Sequence, residues 1–480
     1  MFYFVANLKP YTLSRLPGQH PFDAYLLSLD YADEYRELAA RVRIADRLLC
    51  LDNGNFDAIG AYIEELRDRV DELHEARRVE EEALGHYAQP GELSGALTNR
   101  YRNLAEYVVD HARAMDPGRA IRAQQALAPT YLVGPEEFAI PVINGLGVQP
   151  EYLNLPLSWY SALTTKLLEE SATLQADPEN AGTGLVFEAL HALNYDTAYE
   201  AGRLAGEAAA EGLACGLGAA LEDRTWTDYR IRDGNIVPLD KAIPRPYLRV
   251  LDIAAGLHAG YVTVAGRRPR FHALGVGSPI LLVLLSLLGD AGTFTATDST
   301  APIKDAASSS TISLYVTEPA PLKLKAHRIV EVWLSEGIPW SCRCAACRSF
   351  PSVAPNTLVS ARDWWQGEGE RGLQPEDLRY PSPLAEWFPL LGVAEDPDVR
   401  RAAAAARINH NHTQLKSIEA SIRRYTRQGS LRDWVARVVE DYSESGADPD
   451  WADAVNAAWT VADQCAAALE GSASGGDLTD

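Results

Sequence analysis

Apolar residues along this chain gather in short runs set between longer segments of helical periodicity. The runs are "FYFV" (2–5), "LLCL" (48–51), "TYLV" (130–133), "GLVFEAL" (184–190), "GLACGLG" (212–218), "YVTV" (261–264), "FHALGVG" (271–277) and "TFTAT" (293–297). Their β-branched and aromatic content predicts strands. Strands that alternate with helices predict a parallel sheet, because parallel neighbours need a crossover long enough to hold a helix. Eight of them predict an α/β fold, a closed (β/α)8 TIM barrel, with a doubly wound open sheet as the alternative.

The stretch "YIEELRDRVDELHEARRVEEEALGHY" (62–87) places apolar residues at 63, 66, 70 and 73 among charges, the spacing of an exposed amphipathic helix. With a second helical segment near 98–127 it predicts a helical insertion over about 60–127. "YRIRDGNIVPLD" (229–240) carries Asp-Gly between alternating segments and predicts a hairpin. "PILLVLLSLLGD" (279–290) falls short of the roughly 20 residues that span a membrane and predicts a buried helix. The segment 348–400 is rich in Pro, Gly and charge, and "EGSASGGDLTD" reads as a flexible end. The expected organisation is a barrel domain over 1–335, a smaller subdomain with C-terminal helices over 336–470, and a tail over 471–480.

Composition adds limits. Of 480 residues, 47% are apolar and 23% charged, enough for a large core. The start "MFYFVANLKP" has no secretion signal pattern, and six cysteines, three of them clustered, point to a reducing cytoplasm and a metal rather than disulfides. No membrane association is expected. A net charge of −22 argues against diffuse binding to nucleic acid, which needs clustered Lys and Arg. A local patch is nevertheless present: Lys416, Arg423 and Arg427 are spaced to share one helix face, where a solvated face is the plainer reading.

"WSCRCAACRSF" (340–350) sets Cys342, Cys344 and Cys347 in a C-x-C-x2-C array, and tetrahedral zinc takes four N or S ligands. The next His or Cys residues are His410 and His412, and one of them closing the site is the simplest solution. Zn2+ held by four protein ligands has no open position for substrate, so the expected role is structural. A zinc deaminase is set aside, since H-x-E and P-C-x-x-C are missing.

With these residues placed, "INHNHTQLKSIEASIRRYTRQGSL" resembles the zinc-binding end of tRNA-guanine transglycosylases, with His410, Asn411, Ile422, Arg423 and Gly429 in register. This favours His410 over His412. The Cys347-to-His410 gap of 63 positions is longer than that family's, the extra length lying around "ARDWWQGEGERGL". Upstream, "RRPRFHALGVGSP" resembles the family's "PRYLMGVGSP" strand and turn, with Gly275 and Gly277 in its glycine positions. "TFTATDSTAPIK" resembles the strand that carries the nucleophile, with Asp298, Pro302 and the basic Lys304 in place. "LCLDNGNFD" resembles the Asp-Ser-Gly-Gly-Phe-Gln motif at Asp52, Gly54 and Phe56, with Asp57 where the family has Gln. "GLACGLG" more weakly resembles the strand lining the base pocket, at Gly216 and Leu217.

The resemblance implies a TIM barrel with a zinc-binding subdomain, and exchange of a nucleobase without strand cleavage. Asp298 would attack C1′ to form a covalent glycosyl intermediate, and a second base would resolve it. Asp52 would move protons on the departing and incoming bases. Gly216, the Leu217 amide, His191, Phe56, Gly275 and Gly277 would line the base site, while Lys304, Lys416, Arg423 and Arg427 would contact nucleic acid. Plainer readings stand beside these: a capping Asp298, a turn Asp52, a packing Gly216 and a core His191. The family's second recognition Asp has no match, with Glu136 or Glu137 at about its place.

Archaeal tRNA enzymes of the family carry a further tRNA-binding domain, whereas about 50 residues follow Gly429 here. The altered "DSGGFQ" and the long Cys-to-His gap separate the chain from bacterial tRNA enzymes. These departures resemble the DNA-modifying DpdA relatives, which exchange guanine for a 7-deazaguanine such as preQ0 and are associated with an ATPase-like partner, DpdB. DNA is therefore the expected polymer. The alternatives are tRNA, and a catalytically inactive barrel that binds nucleic acid.

Overall fold

The computed structural model describes residues 1–6, 22–29, 36–328 and 397–474, apart from short gaps within those ranges, together with Cys344. Its strands are β1 (Phe2–Ala6), β2 (Ala24–Ser28), β3 (Leu48–Asp52), β4 (Tyr131–Glu136), β5 (Leu185–Ala189), β6 (Gly212–Gly216), β7 (Trp226–Arg232), β8 (Asn235–Pro244), β9 (Arg270–Leu274), β10 (Thr295–Ser299), β11 (Ser313–Pro319) and β12 (Leu322–Arg328). Eight of these close a parallel barrel in the order β1-β10-β9-β6-β5-β4-β3-β2. The protein is a TIM barrel.

The helices are α1 (Asn55–Leu84), α2 (Gly95–His111), α3 (Pro117–Gln125), α4 (Ala139–Gly145), α5 (Leu157–Ala176), α6 (Tyr195–Glu207), α7 (Arg245–Ala265), α8 (Pro279–Leu285), α9 (Pro397–Arg427), α10 (Leu431–Glu444) and α11 (Pro449–Ser474). They cover the outward faces of the strands, and residues of β1, β3, β6 and β9 share one core with α6, α7, α9, α10 and α11. A second core joins α1, α2 and α4, the helical insertion. Its first helix, α1, begins at Asn55, and α3 packs against β4. There the Gln124 amide donates to the Leu51 and Val133 carbonyls, each at 3.0 Å. This side chain bridges β3 and β4 just past their two paired positions, while Asp52 stays paired with Ser28 of β2 and Glu136 with Ala189 of β5.

Two elements differ from expectation. "YVTV" (261–264) is the last turn of α7, and the eighth strand is "AYLLS" of β2. A strand would bury alternate residues, whereas Tyr261 and Val262 are both buried and Thr263 and Val264 both exposed, a helical pattern. Four β-branched or aromatic residues cannot distinguish the two, and burial decides. The Asp-Gly hairpin is present as β7–β8, with Arg232 paired to Asn235 and Asp233 at φ 50°. "PILLVLL" is the buried helix α8. Among the described residues one helix, α7, has the length and apolarity to cross a membrane, and 78% of its apolar window is buried in this fold.

The hairpin is anchored to α7 by an ion pair of two buried side chains, Arg230 and Asp252, with Arg232 also near Asp252. Asp252→Ala strands a buried guanidinium, with an expected cost of about 3–5 kcal/mol in urea unfolding. Burial pushes the Asp252 carboxyl up to about 6, against the pull of Arg230 and Arg232. A folded value above the unfolded one means that the native state holds this proton more tightly. Its contribution is therefore fullest below about pH 4 and is lost as pH rises through about 6. Asp252→Asn should flatten that part of the stability profile.

Candidate active site at the barrel mouth

Side chains alternate across a strand, so one known inward residue fixes the others. The barrel interior holds Phe4, Leu26, Cys50, Tyr131, Val133, Phe187, Ala214 and Ala296. Asp52 lies two residues beyond Cys50, Asp298 two beyond Ala296, and Gly216 two beyond Ala214, so all three occupy inward positions at the carboxyl ends of their strands. In TIM barrels this end carries the chemistry. The charges of Asp52 and Asp298 both bear on the Cys50 thiol, whose pKa burial raises first and these two carboxylates raise further. The two acids therefore lie on the same end of the barrel, at inward positions.

Asp298 is buried, and its Oδ1 accepts from His272 Nε2 and from the Gly275 amide, each at 3.1 Å. Among the described residues Oδ2 accepts no hydrogen bond that would hold it back. Gly275 thus positions the candidate nucleophile through its backbone. It has φ +80°, and a Cβ there would lie 2.9 Å from the Gly218 Cα, so only glycine suits both the turn and the contact. Gly277 packs on Ser299, whose Oγ would lie 2.6 Å from an added Cβ.

A polar cluster occupies the β3–β6 side of the mouth. Glu136 Oε1 lies 2.8 Å from His191 Nε2, and Glu136 Oε2 accepts from the Asn53 amide at 3.1 Å. Since a carboxylate only accepts, His191 Nε2 donates to Glu136, and the buried Nδ1 has no partner among the described residues. Gly216 leaves room for this ring: a Cβ there would stand 3.1 Å from His191 Cε1. Glu137 turns away to cap α4, accepting from the Ala139 and Ile140 amides, and burial pushes its carboxyl up against their pull. Of the two glutamates, Glu136 is the one that meets His191. The Leu217 amide is already committed to the Leu274 carbonyl at 3.0 Å, which corrects the expectation that it meets a base. Phe56 enters the first turn of α1, and its side chain lies outside the described residues.

Cys342 and Cys347 lie outside the described residues; Cys344 is buried with its sulfur 3.9 Å from His410 Nδ1. Two donors on one tetrahedral zinc, at about 2.3 and 2.1 Å, stand roughly 3.6 Å apart, so the pair fits a shared metal with a small closure. His410 Nε2 meets the Tyr315 carbonyl at 2.6 Å, which puts the proton there and turns the Nδ1 lone pair toward the sulfur. His412 is buried elsewhere, with Nδ1 3.4 Å from the Tyr3 hydroxyl and the ring against Phe22. Among the described residues no group of three or more possible ligands gathers. Next to His410, Asn411 accepts from the Tyr315 amide at 2.8 Å and donates to the Pro302 and Ser313 carbonyls. One helical turn thereby ties β11 and the turn after the Asp298 strand to the Cys344–His410 pair.

The basic residues divide. Lys304 is exposed in the turn after β10, on the mouth side. Lys416 pairs with Asp23 and Glu419, and Arg423 with the same two acids. Asp23 precedes β2 and Glu419 accepts from the Tyr3 amide near the start of β1, so these cations sit toward the amino ends of the strands. Arg427 follows one turn further on, exposed. The structure does not bring these three to the mouth.

Sequence reading passed over His272 and Tyr131. His272 is fully buried, and its Nδ1 lies 2.8 Å from the Tyr131 hydroxyl and 4.0 Å from the Cys50 sulfur. The one available signal was a histidine at an alternate position of the strand before the glycine turn. The molecule is thus a TIM barrel with two carboxylates at its mouth and a His-Cys pair behind one of them. Compared with known protein families and with curated proteins, the chain matches none.

Proposed function

We propose that this protein is a base-exchange transglycosylase that replaces guanine in DNA with a 7-deazaguanine. The observation that carries the reading is the placement of Asp52 and Asp298 at inward positions of one barrel mouth, both bearing on the Cys50 thiol. Oδ2 of Asp298 attacks C1′ of the target nucleotide; the C1′–N9 bond breaks, and its electron pair leaves with guanine. Asp52 delivers a proton to the departing base and takes one from the incoming base, whose nitrogen then attacks C1′ and frees the Asp298 carboxylate. Glu136 and His191, with Gly216 beneath them, meet the polar edge of the base, His191 Nδ1 accepting from an N–H. The target base must leave the stack to reach this depth, and Lys304 lies at the rim for its phosphate.

Zn2+ bound by Cys342, Cys344, Cys347 and His410 would supply structure alone, holding β11 and the turn after Asp298 in place. The third cysteine and His410, 63 positions apart, would then close a loop through the metal.

The test is incubation of the purified chain with guanine-containing single-stranded DNA, duplex DNA and tRNA, with radiolabelled guanine. Expected are label in DNA and a protein–DNA adduct that survives denaturation. Label in tRNA alone would move the substrate to tRNA, and label in neither would leave an inactive nucleic-acid-binding barrel. Exchange on single-stranded but not duplex DNA would call for a strand-opening partner such as an ATPase.

A further inference from the structure

Asp298 ends a chain of hydrogen bonds that crosses the barrel interior. Tyr131 on β4 reaches His272 on β9 at 2.8 Å, and His272 reaches Asp298 on β10 at 3.1 Å. Aromatic rings seal the chain: Phe4 lies 5.3 Å from the imidazole and Phe187 stacks on Tyr131 at 4.3 Å. Tyr131 and His272 are 2% and 0% exposed, so water does not compete for their bonds. In such surroundings each satisfied hydrogen bond is stronger and each misdirected one more costly.

With a neutral imidazole, the 2.8 Å Tyr131–His272 contact, shorter than the 4.0 Å from His272 to the Cys50 sulfur, favours one arrangement. Asp298 Oδ1 only accepts, so His272 Nε2 carries a proton. Burial first, and then the neighbouring Cys50 and Asp298, hold the Tyr131 phenol well above its usual pKa, so it keeps its proton to donate. Its O–H then meets the Nδ1 lone pair. A histidine with its proton on Nδ1 would set two lone pairs against each other at Oδ1.

We propose that Tyr131 and His272 are positioning residues for the nucleophile: the phenol selects the Nε2–H form of His272, whose N–H joins the Gly275 amide on Oδ1 and presents Oδ2 to C1′. This rests on the reading of Asp298 as nucleophile. The ionisable groups that meet the imidazole are Tyr131 of β4, Cys50 of β3 and Asp298 of β10, with Asp52 acting on Cys50 and Tyr3 of β1 feeling the Asp298 charge.

The experiment measures the single-turnover rate of adduct formation, with nucleic-acid affinity determined separately, on the full chain. His272→Leu is expected to slow the step by about 10²-fold, the scale of a lost preorganised donor. His272→Gln, which restores an N–H, should recover most of the rate. Tyr131→Phe should lower the rate with affinity unchanged. It should also mix the His272 tautomers, read by isotope-edited NMR of the imidazole nitrogens. Equal impairment of the Leu and Gln variants would reduce His272 to packing and overturn the proposal. So would wild-type rates and an unchanged tautomer in Tyr131→Phe, which decides the matter if His272→Leu fails to fold. A wild-type chain that forms no adduct defeats the transglycosylase reading instead, and the NMR measurement still judges the tautomer.

Discussion

Asp298→Asn is expected to abolish the covalent adduct and to lower base exchange by on the order of 10⁴-fold or more, the scale seen when a nucleophile is removed. Asparagine keeps the acceptor oxygen for His272 Nε2 and the Gly275 amide, so the barrel should melt within about 1 kcal/mol of the wild type. Nucleic-acid binding should persist, because the change removes a reacting atom and not the surrounding shape. Asp52→Asn gives the contrasting result. The adduct should still form, slowly, while release and replacement of the base suffer with it, since Asp52 acts on the base rather than on the sugar. An Asp298→Asn protein that exchanges guanine at the wild-type rate would end the transglycosylase assignment.

The second large effect concerns the metal. The purified chain is expected to carry one zinc per molecule by elemental mass spectrometry, and His410→Ala to lose it. His412→Ala should keep it, because the His412 ring faces Tyr3 and Phe22 and not Cys344. Structural zinc is worth about 10–16 kcal/mol in small isolated sites, comparable to or above the roughly 5–15 kcal/mol stability of a whole domain. Chelation should therefore release the segment that His410 and Asn411 hold, seen as an early melting transition and as new protease cleavage near β11. Activity should fall with it, because Asn411 also holds the Pro302 carbonyl in the turn after Asp298. Zinc lost from His412→Ala but retained in His410→Ala would reverse the ligand assignment.

The barrel was legible because its strands are short, apolar and separated by helical patterns, and seven of the eight expected runs are barrel strands. The eighth failed on a physical ambiguity: "YVTV" satisfies strand propensity, yet it continues the buried face of α7. Propensity is weak against a core that claims Tyr261 and Val262 together. "AYLLS" was missed because five residues without alternation or turn chemistry around them carry no period of their own. The motifs supplied Asp52 and Asp298, and parity along β3 and β10 then turned both inward. The patch of Lys416, Arg423 and Arg427 was read correctly as one helix face, but Asp23 was needed to neutralise two of its members, and Asp23 lies about 400 positions away in the chain.

The sequence by itself determined the class of fold, the two acids at strand ends and the cysteine array. Each depends on local spacing, and spacing is written in the chain. Only the tertiary structure decided that Glu136 and not Glu137 meets His191, that the Leu217 amide is spent on Leu274, and that Tyr131 touches His272 across 141 positions. Those contacts arise when the sheet closes: β4 and β9 are separated by β5 and β6 around the wall, and curvature alone makes their inward side chains neighbours.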